Sequence, residues 1–182
     1  MTAESFYQQI ESVNKTSRPL ESWNPPLSGD MNCLIKRDGS WHIDGVPLSN
    51  SKLVRLFSTV LIKENDEYFL LTPVEKWRIQ VEDLPFTVVE LEVKHQNSSE
   101  QLIKARTNVG DWVTIDKSHP LSSSPIQALN NGQAIPSLCI RAQLEARFNR
   151  NCFLELADML QATADDEIYK VVSAGSEFTL SL

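Results

Sequence analysis

Two stretches of this chain carry side chains suited to recognising a polar ligand. One reads Leu71-Thr72-Pro73-Val74-Glu75, the other Val81-Glu82-Asp83-Leu84-Pro85-Phe86. Proline breaks flank a short strand between them and leave carboxylates at both of its ends. Loops of that kind can turn Thr72, Glu75 and Asp83 into a cleft. The same residues equally suit turns closed by local side-chain to backbone hydrogen bonds. A second set is the arginines Arg55, Arg78, Arg106, Arg141 and Arg147. Arg55 interrupts an otherwise apolar helical stretch and Arg141 an otherwise apolar strand. A guanidinium in such a place is paired with a carboxylate inside the protein or aimed at an anion.

Recognisable catalytic and metal patterns are missing from the sequence. It contains no GxxxxGK[ST] or GxGxxG phosphate loop, no HExxH, no paired CxxC and no GxSxG elbow. His42, His95 and His119 are isolated along the chain and read as surface histidines. Asp165-Asp166-Glu167 reads as a solvated turn. The expectation is a protein without catalytic residues, metal or cofactor.

The elements that must position these groups are mostly strands. Thr2 can cap a helix over Ala3–Val13. Met31–Ile35 and Trp41–Ile43 form a hairpin around Asp38-Gly39. Asn50 or Ser51 caps a helix through Ser58 that presents Leu53, Leu56 and Phe57 on one side. Thr59–Lys63 and Glu67–Leu71 form a second hairpin around Asn65-Asp66. Phe86–Lys94 alternates as a long strand, with Gln101–Thr107 and Trp112–Asp116 to follow. His119–Gln133 is a loop. Ser137–Ala146 reads as one alternating strand around Arg141, Phe153–Gln161 as strand then helix, and Tyr169–Val172 and Phe178–Leu182 as closing strands.

Self-similarity organises this list. Asp38-Gly39-Ser40-Trp41 matches Gly110-Asp111-Trp112, with the tryptophans 71 residues apart; Asn65 matches Asn149 at 84; Phe86 matches Phe178 at 92. The offset grows in order, as insertions in a second copy would make it grow. Two copies imply two small sheets, and the cleft between such units is a common ligand site.

Composition narrows the partners. With 24 acidic against 17 basic side chains the net charge is −7, which argues against coating nucleic acid or an anionic membrane. No stretch approaches a membrane span, and Met1–Glu11 is polar and acidic rather than a signal peptide. Cys33, Cys139 and Cys152 are odd in number and form no CxxC, so they read as reduced thiols in a cytoplasm.

Trp23–Leu160 resembles a bacterial family known as domain of unknown function (DUF) 1285. The resemblance rests on Trp23-Asn24-Pro25, Gly29-Asp30-Met31, Arg37-Asp38-Gly39-x-Trp41 and Gly45-x-Pro47. It continues through Leu53–Ser58, Leu71–Lys76 and Val81–Phe86. In the second half it includes Arg106-Thr107-Asn108, His119-Pro120-Leu121 and Ile140–Arg147. It implies an α+β, mostly β fold: a duplicated core of two small β-rich domains with short helices, the second resembling a pleckstrin-homology-like fold. The expected division is residues 1–22 as N-terminal helix and linker, 23–87 as the first domain and 88–182 as the second.

The resemblance also implies binding of a nucleotide-type ligand at the domain interface, in signalling. Arg55, Arg141 and Arg147 are the candidate phosphate contacts. Trp41 or Phe86 would stack on a base. Asp38, Thr72 and Asp83 would read ribose or base edges, and Glu75 is a further ligand-binding candidate from the same loops. The expected function is that of a non-enzymatic receptor for a small anion that passes its state to a protein partner. The alternative is a protein–protein interaction module with no small ligand.

Overall fold

A computed structural model describes residues 10, 20–123, 136–164 and 168–181. The expected helix over Ala3–Val13 lies outside them, apart from Ile10, which is helical and buried. The Asp165-Asp166-Glu167 turn and residues 124–135 of the expected loop also lie outside. The chain divides into two units, Met1–Asp83 and Leu84–Leu182. The boundary falls ahead of the expected one after Thr87, which would have cut a strand.

The first unit is built from β1 (Leu27–Ile35), β2 (Trp41–Ile43), β3 (Val46–Pro47), α1 (Ser51–Ser58), β4 (Leu61–Glu64), β5 (Glu67–Leu71) and β6 (Lys76–Val81). Its six strands lie in the order β3-β2-β1-β6-β5-β4, with β1 and β6 parallel and each remaining pair antiparallel. The expected turns form. Asn65 and Asp66 both have positive φ, 49° and 64°, as a two-residue hairpin turn needs. Gly39 donates to the Lys36 carbonyl at 2.9 Å and closes the first hairpin. Asn50 caps α1 by accepting from the N–H groups of Lys52 and Leu53. The helix buries Phe57, whose ring meets Trp41 with centroids 6.4 Å apart, while Leu53 and Leu56 are half-buried.

The second unit contains β7 (Phe86–Lys94), β8 (Leu102–Thr107), β9 (Trp112–Thr114), β10 (Leu121–Ser122), β11 (Ser137–Arg141), β12 (Leu144–Phe148), α2 (Arg150–Ala157), β13 (Gln161–Ala162), β14 (Ile168–Ser173) and β15 (Ser176–Ser181). Its larger sheet runs β10-β11-β12-β7-β8-β9, with β7 and β12 parallel and the other pairs antiparallel. Adding six to each strand number of the first sheet, read from the other edge, reproduces this order and every pairing direction. The protein is a duplicated, mostly β structure with short helices. The antiparallel β13-β14-β15 meander is an addition to the second copy. It is tied to β8 where the buried Ser173 hydroxyl accepts the Ile103 N–H at 3.0 Å.

Three local expectations are corrected. Ser137–Ala146 is not one strand: it turns at Ala142 and Gln143, both with positive φ. Neither residue type advertises such a turn. Phe153–Gln161 does not begin as strand: the chain is helical from Arg150 to Ala157, because the Asn149 side chain caps it. The residue-level self-match also fails. Trp41 opens a strand inside the first sheet and is buried, whereas Trp112 opens the edge strand β9 and is 45% exposed. Asn65 sits in a hairpin turn and Asn149 caps a helix. Topology repeats here without that side-chain alignment.

Candidate functional site

In the second unit, β11 ends on Arg141 after an irregularity in its pairing with β12. The Arg141 guanidinium carbon lies over the Phe86 ring, 5.2 Å from its centroid. Its Nη1 stands 3.6 Å from Asp111 Oδ2, with the side chains 32% and 35% exposed. Phe86 is fully buried at the start of β7, so it fixes the guanidinium from the core side. Burial pushes the Arg141 guanidinium below its ordinary value, and the Asp111 carboxylate opposes that shift.

Backbone geometry places Asp111. The turn after β8 closes with the Gly110 N–H donating to the Thr107 carbonyl at 2.9 Å. The Asp111 N–H donates to Thr107 Oγ1 at 3.1 Å. Asn108 fastens this turn to β7. Its side-chain Oδ1 accepts from the Thr87 N–H at 3.0 Å, and its backbone N–H donates to the Thr87 carbonyl at 2.8 Å. Asp111 was absent from the sequence candidates. Its only advance signal was the Gly110-Asp111 turn dipeptide.

The other candidates have different surroundings. Arg147 is half-buried on β12, opposite Thr87 and Ser137, while its neighbour Ala146 is opposite Phe86. Successive strand residues face opposite ways, so Arg147 does not share the face that carries Phe86. Arg55 is exposed in the last turn of α1, where positive charge suits the helix terminus. It makes no ion pair among the described residues. Arg78 bridges two carboxylates, Asp30 at 3.1 Å and Glu67 at 3.0 Å. Arg106 pairs with Glu90 at 2.5 Å. Internal pairing accounts for both.

Several predicted contacts turn out to be structural. Trp41 is 1% exposed and packed on Phe57, and Phe86 is buried under Arg141. Neither ring offers an open face to a base, because the core needed their area. Thr72 is fully buried, and its Oγ1 accepts the Glu75 N–H at 3.0 Å while the Thr72 N–H donates to the Glu75 carbonyl at 2.8 Å. This is the local turn that the Thr-Pro sequence also allowed. Glu75 is half-buried, with Oε2 buried and without a hydrogen-bond partner among the described residues. Asp38 is exposed and held by Ser40, whose hydroxyl donates to it at 2.6 Å. That bond, then the Ser40 N–H, holds the Asp38 carboxyl below its ordinary value. Asp83 is half-buried at the end of the first unit.

The first unit also has an open groove of about 450 Å³ lined by Tyr68, Arg78, Gln80, Glu67 and Glu82 among others. Arg78 of the arginine set and Glu82 of the second candidate stretch line it, but none of the residues expected to contact the ligand does. Among the described residues no cluster of three His, Cys, Asp or Glu side chains forms a metal site. No described helix is long and apolar enough to cross a membrane.

Two family models match consecutive parts of the chain. Residues 18–84 match the N-terminal domain of DUF1285, described as a domain of unknown function, and residues 85–180 match the C-terminal domain, from a protein of unknown function. A crystal structure of a DUF1285 family protein from Silicibacter pomeroyi DSS-3 is 35% identical, with a TM-score of 0.84, over 94% of this chain and 92% of that one. A DUF1285 family protein from Shewanella baltica OS155 is 27% identical, with a TM-score of 0.53, over 70% of this chain and 91% of that one. No curated protein matches. With both domain models matched in order along almost the whole chain, the protein belongs to the DUF1285 family.

Proposed function

We propose that this protein is a non-catalytic receptor for a small, nucleotide-type anion, acting in bacterial signalling, with Arg141 as its principal cation. The supporting observation is the Arg141 guanidinium itself: partly desolvated, stacked on a buried ring and still about a third exposed. An arginine braced against a ring in this way presents its fork of donors to a phosphate with less side-chain freedom left to lose. Three free cysteines fit a reducing cytoplasm as the compartment. Arg147 and Arg55 remain secondary candidates, and a protein partner would read the ligated state.

The rival reading, an interaction module, draws support from Trp112, 45% exposed on edge strand β9. Exposed aromatics on sheet edges are favourable anchors for a partner chain.

Thermal and chemical denaturation with a panel of nucleoside mono-, di- and triphosphates separates the two. A panel member present at 100 times its Kd stabilises the fold by about 2.7 kcal/mol. Arg141→Ala is expected to weaken that ligand about ten- to a hundredfold in a folded protein. Arg55→Ala and Arg147→Ala report whether either contributes a second cation. No stabilisation by any panel member overturns the receptor reading.

A further inference from the structure

We propose that Asp111 is a built-in counterion that holds the Arg141 guanidinium in the free protein and must yield to an incoming anion, so that it sets both the affinity and the charge selectivity of this site. The inference rests on the receptor reading above and deepens it.

Three features carry it. First, the Nη1 to Oδ2 separation of 3.6 Å is an ion-pair distance but exceeds the ~2.7–2.9 Å of a charge-assisted hydrogen bond. This carboxylate is near the cation without being locked to that nitrogen. Second, the two groups are positioned independently. Arg141 lies on the Phe86 ring, and Asp111 is carried by the Thr107–Asp111 turn, whose hydrogen bonds do not involve the ion pair. Exchange of this ion pair therefore leaves the Phe86 contact and the hydrogen bonds of the turn in place. Third, both side chains are about a third exposed, so an anion reaches them without opening the core.

The consequence is selection by charge. A monoanionic carboxylate offers Arg141 no more than Asp111 already does and is repelled by Asp111. A phosphate or pyrophosphate group, with higher charge and more acceptor oxygens, displaces it. Asp111 thus weakens every anion and weakens singly charged ones to the point of exclusion.

The probes are inorganic pyrophosphate and acetate, titrated calorimetrically into the wild-type chain, Asp111→Asn, Arg141→Gln and the double variant, with urea denaturation of each. Asp111→Asn is expected to bind pyrophosphate on the order of tenfold more tightly and to narrow the preference for pyrophosphate over acetate. The gain should shrink as salt is raised and vanish in the double variant. Asp111→Ser, which keeps a turn-forming residue, replaces Asp111→Asn if the latter does not fold. Arg141-dependent binding in wild type that Asp111→Asn leaves unchanged or weakens overturns the counterion role and leaves the receptor standing. Absence of binding in both wild type and Asp111→Asn overturns the two together. Binding that emerges only in Asp111→Asn supports the counterion role.

Discussion

Asn149 Oδ1 accepts the backbone N–H of Cys152 at 2.8 Å, and this one bond marks where β12 stops and α2 begins. The Asn149 N–H donates to the Val88 carbonyl at 3.0 Å, so the cap is anchored to β7 as well. Asn149→Ala should cost about 1 kcal/mol in urea denaturation, while Asn149→Asp, which keeps the accepting oxygen, should cost much less. Equal losses in the two variants would show that the cap's hydrogen bond is not what stabilises the helix start.

Thr72 offers a direct test of structure against ligand contact. Thr72→Val keeps the buried shape and removes the oxygen that accepts from Glu75. Leaving that N–H unpaired should cost about 1–3 kcal/mol, and Thr72→Ser should recover most of it. Stability close to wild type in Thr72→Val, combined with weaker ligand binding, would restore Thr72 to the binding residues.

The turn at Ala142 and Gln143 places two ordinary side chains in left-handed backbone, φ 40° and 66°. Gln143→Gly should therefore stabilise by about 0.5–1 kcal/mol. Gly175 gives the converse case. Its φ is +69° and an added Cβ would meet nothing within 4 Å, so Gly175→Ala isolates backbone strain and should cost about 1 kcal/mol. Both are read from urea midpoints at constant slope.

Burial pushes the Cys33 thiol from 9.0 up to about 12 and the Cys152 thiol up to about 11. The folded state then keeps protons that the unfolded state releases. Stability should be insensitive to these thiols below about pH 9, where both states are protonated. It should fall as pH rises from 9 towards 12, by at most about 1.4 kcal/mol per unit for each thiol. Denaturation under reducing conditions from pH 7 to 11 measures this. Cys33→Val should flatten the alkaline limb, and an unchanged limb would assign the loss to other groups. Neither thiol should react with iodoacetamide at pH 8 while the chain is folded.

What the sequence determined alone was the structure held by neighbouring residues. The Asn50 cap, the Asn65-Asp66 turn, the Asp38-Gly39 hairpin and the alternation of Phe86–Lys94 each depend on backbone and side chains a few positions apart, and each is present. The family resemblance was legible for the same reason, in short motifs kept in order. Only the tertiary structure decided the rest. The parallel pairings of β1 with β6 and β7 with β12 join strands far apart in the chain and leave no periodic trace. Trp41 and Trp112 follow similar local residues, yet one strand lies within a sheet and the other at its edge, so one ring is buried and the other exposed. Phe86 and Arg141 are separated by most of a domain, and their contact required β12 to lie between β7 and β11. Asp111 joins them because the turn bearing it is fastened to the first residues of β7. The sequence supplied the charges; long-range strand order determined which of them meet.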